Sequence, residues 1–138
     1  MLVLTGAGDA FCSGQDLADA GNPADLDLEK TLREEYEPML AALTQCAVPT
    51  IAAVNGAAAG AGANLALAAD VVIAAESAVF TQAFTRIGLI PDAGGTWLLP
   101  RQVGMAKAMG AALFAEKISA EKAERWGMIW EMLPDAEF

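Results

Sequence analysis

The sequence predicts an α/β fold with a mostly parallel sheet. Aliphatic runs at residues 1–5, 50–54 and 71–75 read as short buried strands, and helical segments separate them. Parallel neighbours need long crossover connections, which these segments supply. Glycine-containing turns follow the first two runs, at Gly6 and Gly56.

Residues 1–5 (MLVLT) form a β-branched and aliphatic run that stops at a Gly-Ala-Gly turn, so a fully buried strand is expected there. Within 26–46, Leu28, Leu32, Tyr36, Leu40 and Leu43 recur at spacings of four and three, which predicts an amphipathic helix. Pro38 is expected to kink it. Gly21, Asn22 and Pro23 mark 18–25 as a surface loop. After the strand at 50–54, the segment 55–70 (NGAAAGAGANLALAAD) reads as a glycine-rich turn leading into a small-residue helix of about two turns. A third strand at 71–75 and a shorter one at 78–84 follow. Helix signals over 93–132 are broken at Pro100, Gly104 and Gly127, and Ser119 stands as an N-cap before Glu121 and Lys122. Residues 128–133 close the pattern as a last strand. No internal repeat or low-complexity tail is visible.

The 138 residues suffice for one domain, and 55% apolar content with 19% charge places them among globular proteins. No apolar run reaches the roughly 18 residues of a membrane span, and the start lacks a basic signal-peptide region, so a cytoplasmic protein without membrane association is expected. A net charge of −10 with eight Lys and Arg disfavours nucleic acid, whose phosphates require a basic face. Cys12 and Cys46 lack metal-ligand spacing and read as reduced thiols. No metal site is expected. The sequence contains no histidine, which removes Ser-His-Asp and Cys-His catalysis. Proton transfer near neutral pH then falls to a carboxylate, thiol, lysine or tyrosine.

Three segments can carry chemistry. The turns FCSGQDL (11–17) and NGAAAGAG (55–62) each follow a strand, and small side chains let a ligand approach their main chains. The second turn opens a helix whose first N–H groups lack internal partners and favour an anion or developing oxyanion. Tight strand-to-helix packing accounts for the same residues. A dinucleotide fingerprint fails, because Leu65 stands where the third small residue belongs and Glu76 lies only sixteen residues beyond Gly60. In the third segment, Asp92 is a lone carboxylate between Pro91 and Gly94 among apolar residues. It serves either as an N-cap or as a desolvated general base tuned towards neutral pH. Phe84 and Trp97 are either apolar pocket walls or core.

Taken in order and spacing, FCSGQDL, AVNGAAAGAGANLALAAD and FTRIGLIPDAGGTWLLPRQVG resemble the enoyl-CoA hydratase/isomerase, or crotonase, family over nearly the whole chain. Within it, AGAGANLAL, GLIPDAGGTWLLPR and SAEKAERWGMIW are most similar to the 1,2-epoxyphenylacetyl-CoA isomerases of phenylacetate degradation. The resemblance implies a crotonase-like spiral of repeated ββα units over 1–138, a core fragment of a longer family domain incomplete at both ends. It implies an acyl-CoA thioester as substrate, no separate cofactor since coenzyme A belongs to the substrate, and homotrimers or hexamers when the full family domain is present.

The family's thioester oxygen is held by two backbone N–H groups, which match Ser13 and Ala61. Cys12, Gly14, Gln15, Asp16 and Leu17 would line the ligand, with Gly60, Asn64 and Phe84 beside the acyl group; for Asp16 an ordinary solvated turn residue is the alternative. The two glutamates that activate water in family hydratases match Asn64 and Phe84, neither of which is an acid or base. Asp92 matches a catalytic aspartate of related isomerases. The expected activity is therefore that of an acyl-CoA isomerase working through a stabilised thioester enolate. An enoyl-CoA hydratase and a non-catalytic assembly subunit or fragment are the alternatives. An edge strand at residue 2 would leave apolar backbone unpaired, which favours a fragment.

Overall fold

The computed structural model describes residues 1–16 and 27–138. Leu17, the loop expected over 18–25 and the expected helix start at Leu26 lie outside the described residues. Among the described residues, eight strands divide between two sheets. β1 (Leu2–Thr5), β3 (Thr50–Val54), β5 (Val71–Ala75) and β8 (Glu131–Leu133) form one, in that order and all parallel. β2 (Ala10–Cys12), β4 (Ala57–Ala59), β6 (Val79–Thr81) and β7 (Ile118–Ser119) form the other, parallel except for the antiparallel β6–β7 pair. Each strand of the first sheet from β1 to β5 hands the chain to the second sheet within a few residues, and a helical segment then returns it. This is the repeated ββα spiral.

The strands at 50–54 and 71–75 form as expected, since β-branched residues alternate towards a buried face. Three short strands escaped sequence reading. β2, β4 and β7 hold only two or three residues, and β4 is entirely alanine, so neither periodicity nor propensity marks them. Pairing on both sides holds β4 in place, between β2 and β6. Shorter strands than expected form over 78–84, where Phe84 belongs to a 3-10 turn (Ala83–Ile87), and over 128–133. β1 corrects the expectation of full burial. It lies at a sheet edge, with Leu2 46% and Val3 52% exposed.

The first helical segment runs as α1 (Leu28–Thr31), a π-helical turn (Leu32–Tyr36) and α2 (Glu37–Thr44). The irregularity expected at Pro38 takes the form of that widened turn directly before it, where Glu37 N–H reaches back to the Leu32 carbonyl. Leu28, Leu32, Tyr36, Leu40 and Leu43 are all half-buried, as the periodicity requires. α3 (Ala61–Leu67) packs against β2, β3, β4, β5 and α4 (Gly95–Val103), and six of its seven residues are buried. Its alanines and glycine make so crowded a position possible. Pro100 does not break α4, because loss of one amide donor is tolerated and the helix runs to Gly104. α5 (Met105–Phe114) and α6 (Ala120–Arg125) follow, and Gly127 takes a positive φ just beyond α6.

Ala52, Val54, Ala58, Ala63, Ala66, Leu67, Phe80 and Ile118 form a core largely of small side chains, which brings main chains close together. Asn55 ties successive ββ corners by accepting from Gly6 N–H at 3.0 Å and donating to the Gly8 carbonyl at 2.8 Å. Cys12 and Cys46 are free thiols. Among the described residues no helix is long and apolar enough to cross a membrane.

Two stability predictions follow from this framework. Ser119 Oγ accepts from Lys122 N–H at 3.2 Å, so Ser119→Ala should lower unfolding free energy by about 1 kcal/mol in urea titration. The Asp70 carboxylate accepts from Thr50 N–H at 2.8 Å and Thr50 Oγ at 2.9 Å, which holds its pKa below the ordinary value. Its stabilisation is thus complete above the unfolded pKa near 4 and is lost as pH falls through the lower folded value. Asp70→Asn should flatten that acid limb in unfolding curves measured against pH.

Candidate active site

The two glycine-containing turns meet. Beyond β2 the chain passes over the start of α3, where a Cβ added to Gly62 would overlap the Cys12 carbonyl oxygen. A Cβ on Gly14, whose φ is +92°, would lie 2.9 Å from the Ala59 oxygen and 3.4 Å from Ala61 N. Only glycine allows that approach. Gly60 caps α3 with φ 54° and ψ −125° and donates to the Thr81 carbonyl at 2.8 Å, which ties the helix start to β6. Ala61 is the first helical residue, so its N–H has no acceptor within the helix.

A cleft of about 270 Å³ opens there, lined by Ser13, Gly14, Gln15, Gly60, Ala61, Phe84 and Asp92 together with Leu28, Tyr36, Arg86, Ile87 and Leu89. A second cleft of similar size adjoins it through Gly14, Gln15, Tyr36 and Ala61, and adds Cys12, Glu35 and Leu65. Residues from all three expected segments therefore share one site. Phe84 is 6% exposed, and its ring stands 3.8 Å from where a Gly60 Cβ would sit.

Asp92 is not an N-cap. Gly94 occupies that position in α4 without a side-chain bond, and Ala93 and Gly94 both have positive φ, 45° and 79°. The Asp92 carbonyl accepts from Gly95 N–H and from Asn64 Nδ2, each at 2.8 Å. Its side-chain Oδ1 is buried with no hydrogen-bond partner among the described residues. Burial pushes the Asp92 carboxyl above the ordinary aspartate pKa, against a smaller opposing pull from its own backbone N–H. Desolvation of this kind makes Asp92 a candidate proton-transfer group.

Asn64 stands elsewhere. It is completely buried, outside both cleft walls, with its oxygen accepting from Gln82 Nε2 at 2.8 Å and its nitrogen bound to Asp92. Asp16 is exposed. Trp97 is neither pocket wall nor core, being 61% exposed with the Arg101 guanidinium 3.0 Å over its ring. Tyr36 and Arg86 are cleft residues that sequence reasoning missed. Tyr36 counted there only as part of an apolar stripe, yet its hydroxyl donates to Gln15 Oε1 at 2.6 Å. Burial raises its pKa, helped by the charges of Asp92, Cys12 and Glu35. Arg86 lines the cleft, and its guanidinium donates to the Ala115 carbonyl at 2.6 Å. Among the described residues no cluster of three or more Cys, Asp and Glu has metal-binding geometry.

This fold and arrangement accord with the family match. The chain belongs to the enoyl-CoA hydratase/isomerase family, whose model matches residues 1–138. It is 73% identical over 137 residues to a protein of Rhodobacter capsulatus named a probable enoyl-CoA hydratase, covering 99% of this chain and 53% of that one. It is also 54% identical over 138 residues to the 1,2-epoxyphenylacetyl-CoA isomerase of Escherichia coli K12, covering 97% and 52%. The crystal structure of an enoyl-CoA hydratase from Polaromonas sp. JS666 superposes with a TM-score of 0.89 at 36% identity, covering 98% and 53%. The chain spans about half the length of the relatives it matches.

A raised folded pKa means that the folded state binds the Asp92 proton more tightly than the unfolded chain, so stability falls as pH rises between the two values. Asp92→Asn should therefore raise the melting temperature at neutral pH, with the gain vanishing below about pH 4. Thermal melts across pH check this. Gly62→Ala should destabilise by at least about 2 kcal/mol in urea titration, because the Cβ meets rigid backbone.

Proposed function

We propose that this site carries out enolate chemistry on an acyl-CoA thioester as an isomerase, with Asp92 moving the proton. The observation that carries the reading is the buried Asp92 Oδ1, without a hydrogen-bond partner among the described residues, in an apolar cleft shared with both glycine turns. A proton leaving the carbon next to a thioester places negative charge on the carbonyl oxygen. Ser13 and Ala61 N–H groups would receive that oxygen, and such fixed donors stabilise it with little reorganisation. In a 3-enoyl thioester, Asp92 takes the proton from C2, the double bond moves to C2–C3, and Asp92 returns the proton to C4. Cys12, Gly14, Gln15, Asp16 and Leu17 would hold the thioester end of the ligand. Gly60 and Phe84 would bound the acyl chain. The 54% identity to the Escherichia coli isomerase supports an epoxyphenylacetyl thioester as the finer choice of substrate.

A hydratase is the second reading, favoured by the name of the Rhodobacter capsulatus relative. It needs a carboxylate pair to activate water, and Asn64 and Phe84 offer none. Formation of a 3-hydroxyacyl-CoA from a 2-enoyl-CoA would establish it.

Incubation with phenylacetyl-CoA or a 3-enoyl-CoA in deuterated water, followed by NMR, tests the isomerase reading. Wild type should exchange the α-protons, Asp92→Asn should lose about 10²- to 10⁴-fold in rate, and Ser13→Ala should remain near wild type because its donor is backbone. Unchanged exchange in Asp92→Asn would refute the base assignment.

A further inference from the structure

We propose that Asn64, oriented by Gln82, is a positioning residue that fixes the Asp92 turn from behind the cleft. This rests on the reading of Asp92 as the acid/base group. Asn64 and Gln82 are 0% and 1% exposed, and they form one chain of bonds from Gln82 Nε2 to Asn64 Oδ1 and from Asn64 Nδ2 to the Asp92 carbonyl, each 2.8 Å. The Asp92 carbonyl is only an acceptor, so Asn64 must present its nitrogen to it and its oxygen to Gln82. Gln82 must then present its nitrogen to Asn64. Both amide orientations are thus set by the backbone of Asp92.

This arrangement leaves Gln82 Oε1 buried without a partner among the described residues. For folding alone, two apolar side chains of the same shape in place of the pair would serve about as well, since replacing both partners leaves no desolvated acceptor between them. Stability therefore does not account for the pair. The turn it grips is strained. Ala93, 6% exposed, holds φ 45°, a conformation that non-glycine residues rarely adopt, and Gly94 follows at 79°. Such a turn persists only when its surroundings hold it. Gly95 opens the way for the clamp, because a Cβ there would overlap Asn64 Nδ2.

Asn64 lies three residues after Ala61 in α3. One short, buried helix thus carries the proposed oxyanion donor at its start and the grip on the proposed base one turn later. The clamp keeps the distance between them from drifting.

Two shape-preserving variants, Gln82→Met and Asn64→Leu, test this beside Asp92→Asn. Three readouts apply: the rate and KM for α-proton exchange with a 3-enoyl-CoA, the titration of the Asp92 carboxyl by carbon-13 NMR, and thermal melting. Gln82→Met, which trades the unpaired Gln82 Oε1 for an unpaired Asn64 Oδ1, should melt close to wild type, lose about 10- to 100-fold in exchange rate with KM changed less than about twofold, and titrate Asp92 closer to an ordinary aspartate. Asn64→Leu should lose at least as much rate, and if it fails to fold, Gln82→Met decides alone. Tyr36 from the first helical segment and Arg86 from the 3-10 turn face the same cleft, with Cys12 and Glu35 beside Tyr36. Neither variant alters these groups, so a moved titration reports the turn rather than a changed charge. Folded variants with wild-type exchange and wild-type Asp92 titration overturn the proposal. So does a loss of rate and melting temperature with the titration unmoved, which assigns the pair to folding. Wild-type exchange in Asp92→Asn instead defeats the acid/base reading, and the Asp92 titration in the other two variants still decides whether the clamp exists.

Discussion

The passage of the Cys12–Gly14 backbone across the first turn of α3 governs the geometry around it. Gly62 meets the Cys12 carbonyl where a Cβ would not fit, and Gly14 rests against Ala59 and Ala61. Main chains this close require small side chains on both sides. The alanine-rich core is the wider expression of the same need, since α3 lies among β2, β3, β4, β5 and α4. The close packing leaves the backbone itself as the cleft wall. The polar groups at the helix start are then backbone amides, which no substitution short of proline removes.

The same packing shapes the chemistry of Asp92. A sequence without histidine has few groups that titrate near neutral pH, and loss of hydration raises a carboxyl pKa towards that range. The turn before α4 buries one carboxyl oxygen that has no hydrogen-bond partner among the described residues, at a cost to stability. Folding alone does not favour such an arrangement. In the proposed reaction that cost is offset by the use of the ionised form. Tyr36 and Arg86 line the same cleft.

What the sequence revealed depended on whether the signal was local. Val71, Val72 and Ile73 announce β5, and five apolar residues mark the helical stripe from Leu28 to Leu43. Asp92 stood out because a lone carboxylate among apolar residues is a local anomaly. β4 gave no such sign, as three alanines become a strand only when β2 and β6 flank them. β1 was misjudged because composition reports hydrophobicity and not position in a sheet. The Asn64–Gln82–Asp92 chain was illegible for a similar reason. Its members lie on separate elements, and nothing local in the sequence links Asn64 and Gln82 to the Asp92 carbonyl. Trp97, an aromatic beside the Asp92 turn, proved to be a surface residue stacked on Arg101.

In the proposed reaction, two main-chain N–H groups at Ser13 and Ala61 hold the thioester carbonyl. Isotope-edited infrared difference spectroscopy of a bound acyl-CoA carrying a carbon-13 thioester carbonyl tests it without relying on turnover. The account predicts that the carbonyl stretch moves to lower frequency on binding, and that Ser13→Ala leaves this shift intact because the donors belong to the backbone. A thioester that binds with its carbonyl frequency unchanged from water would contradict it.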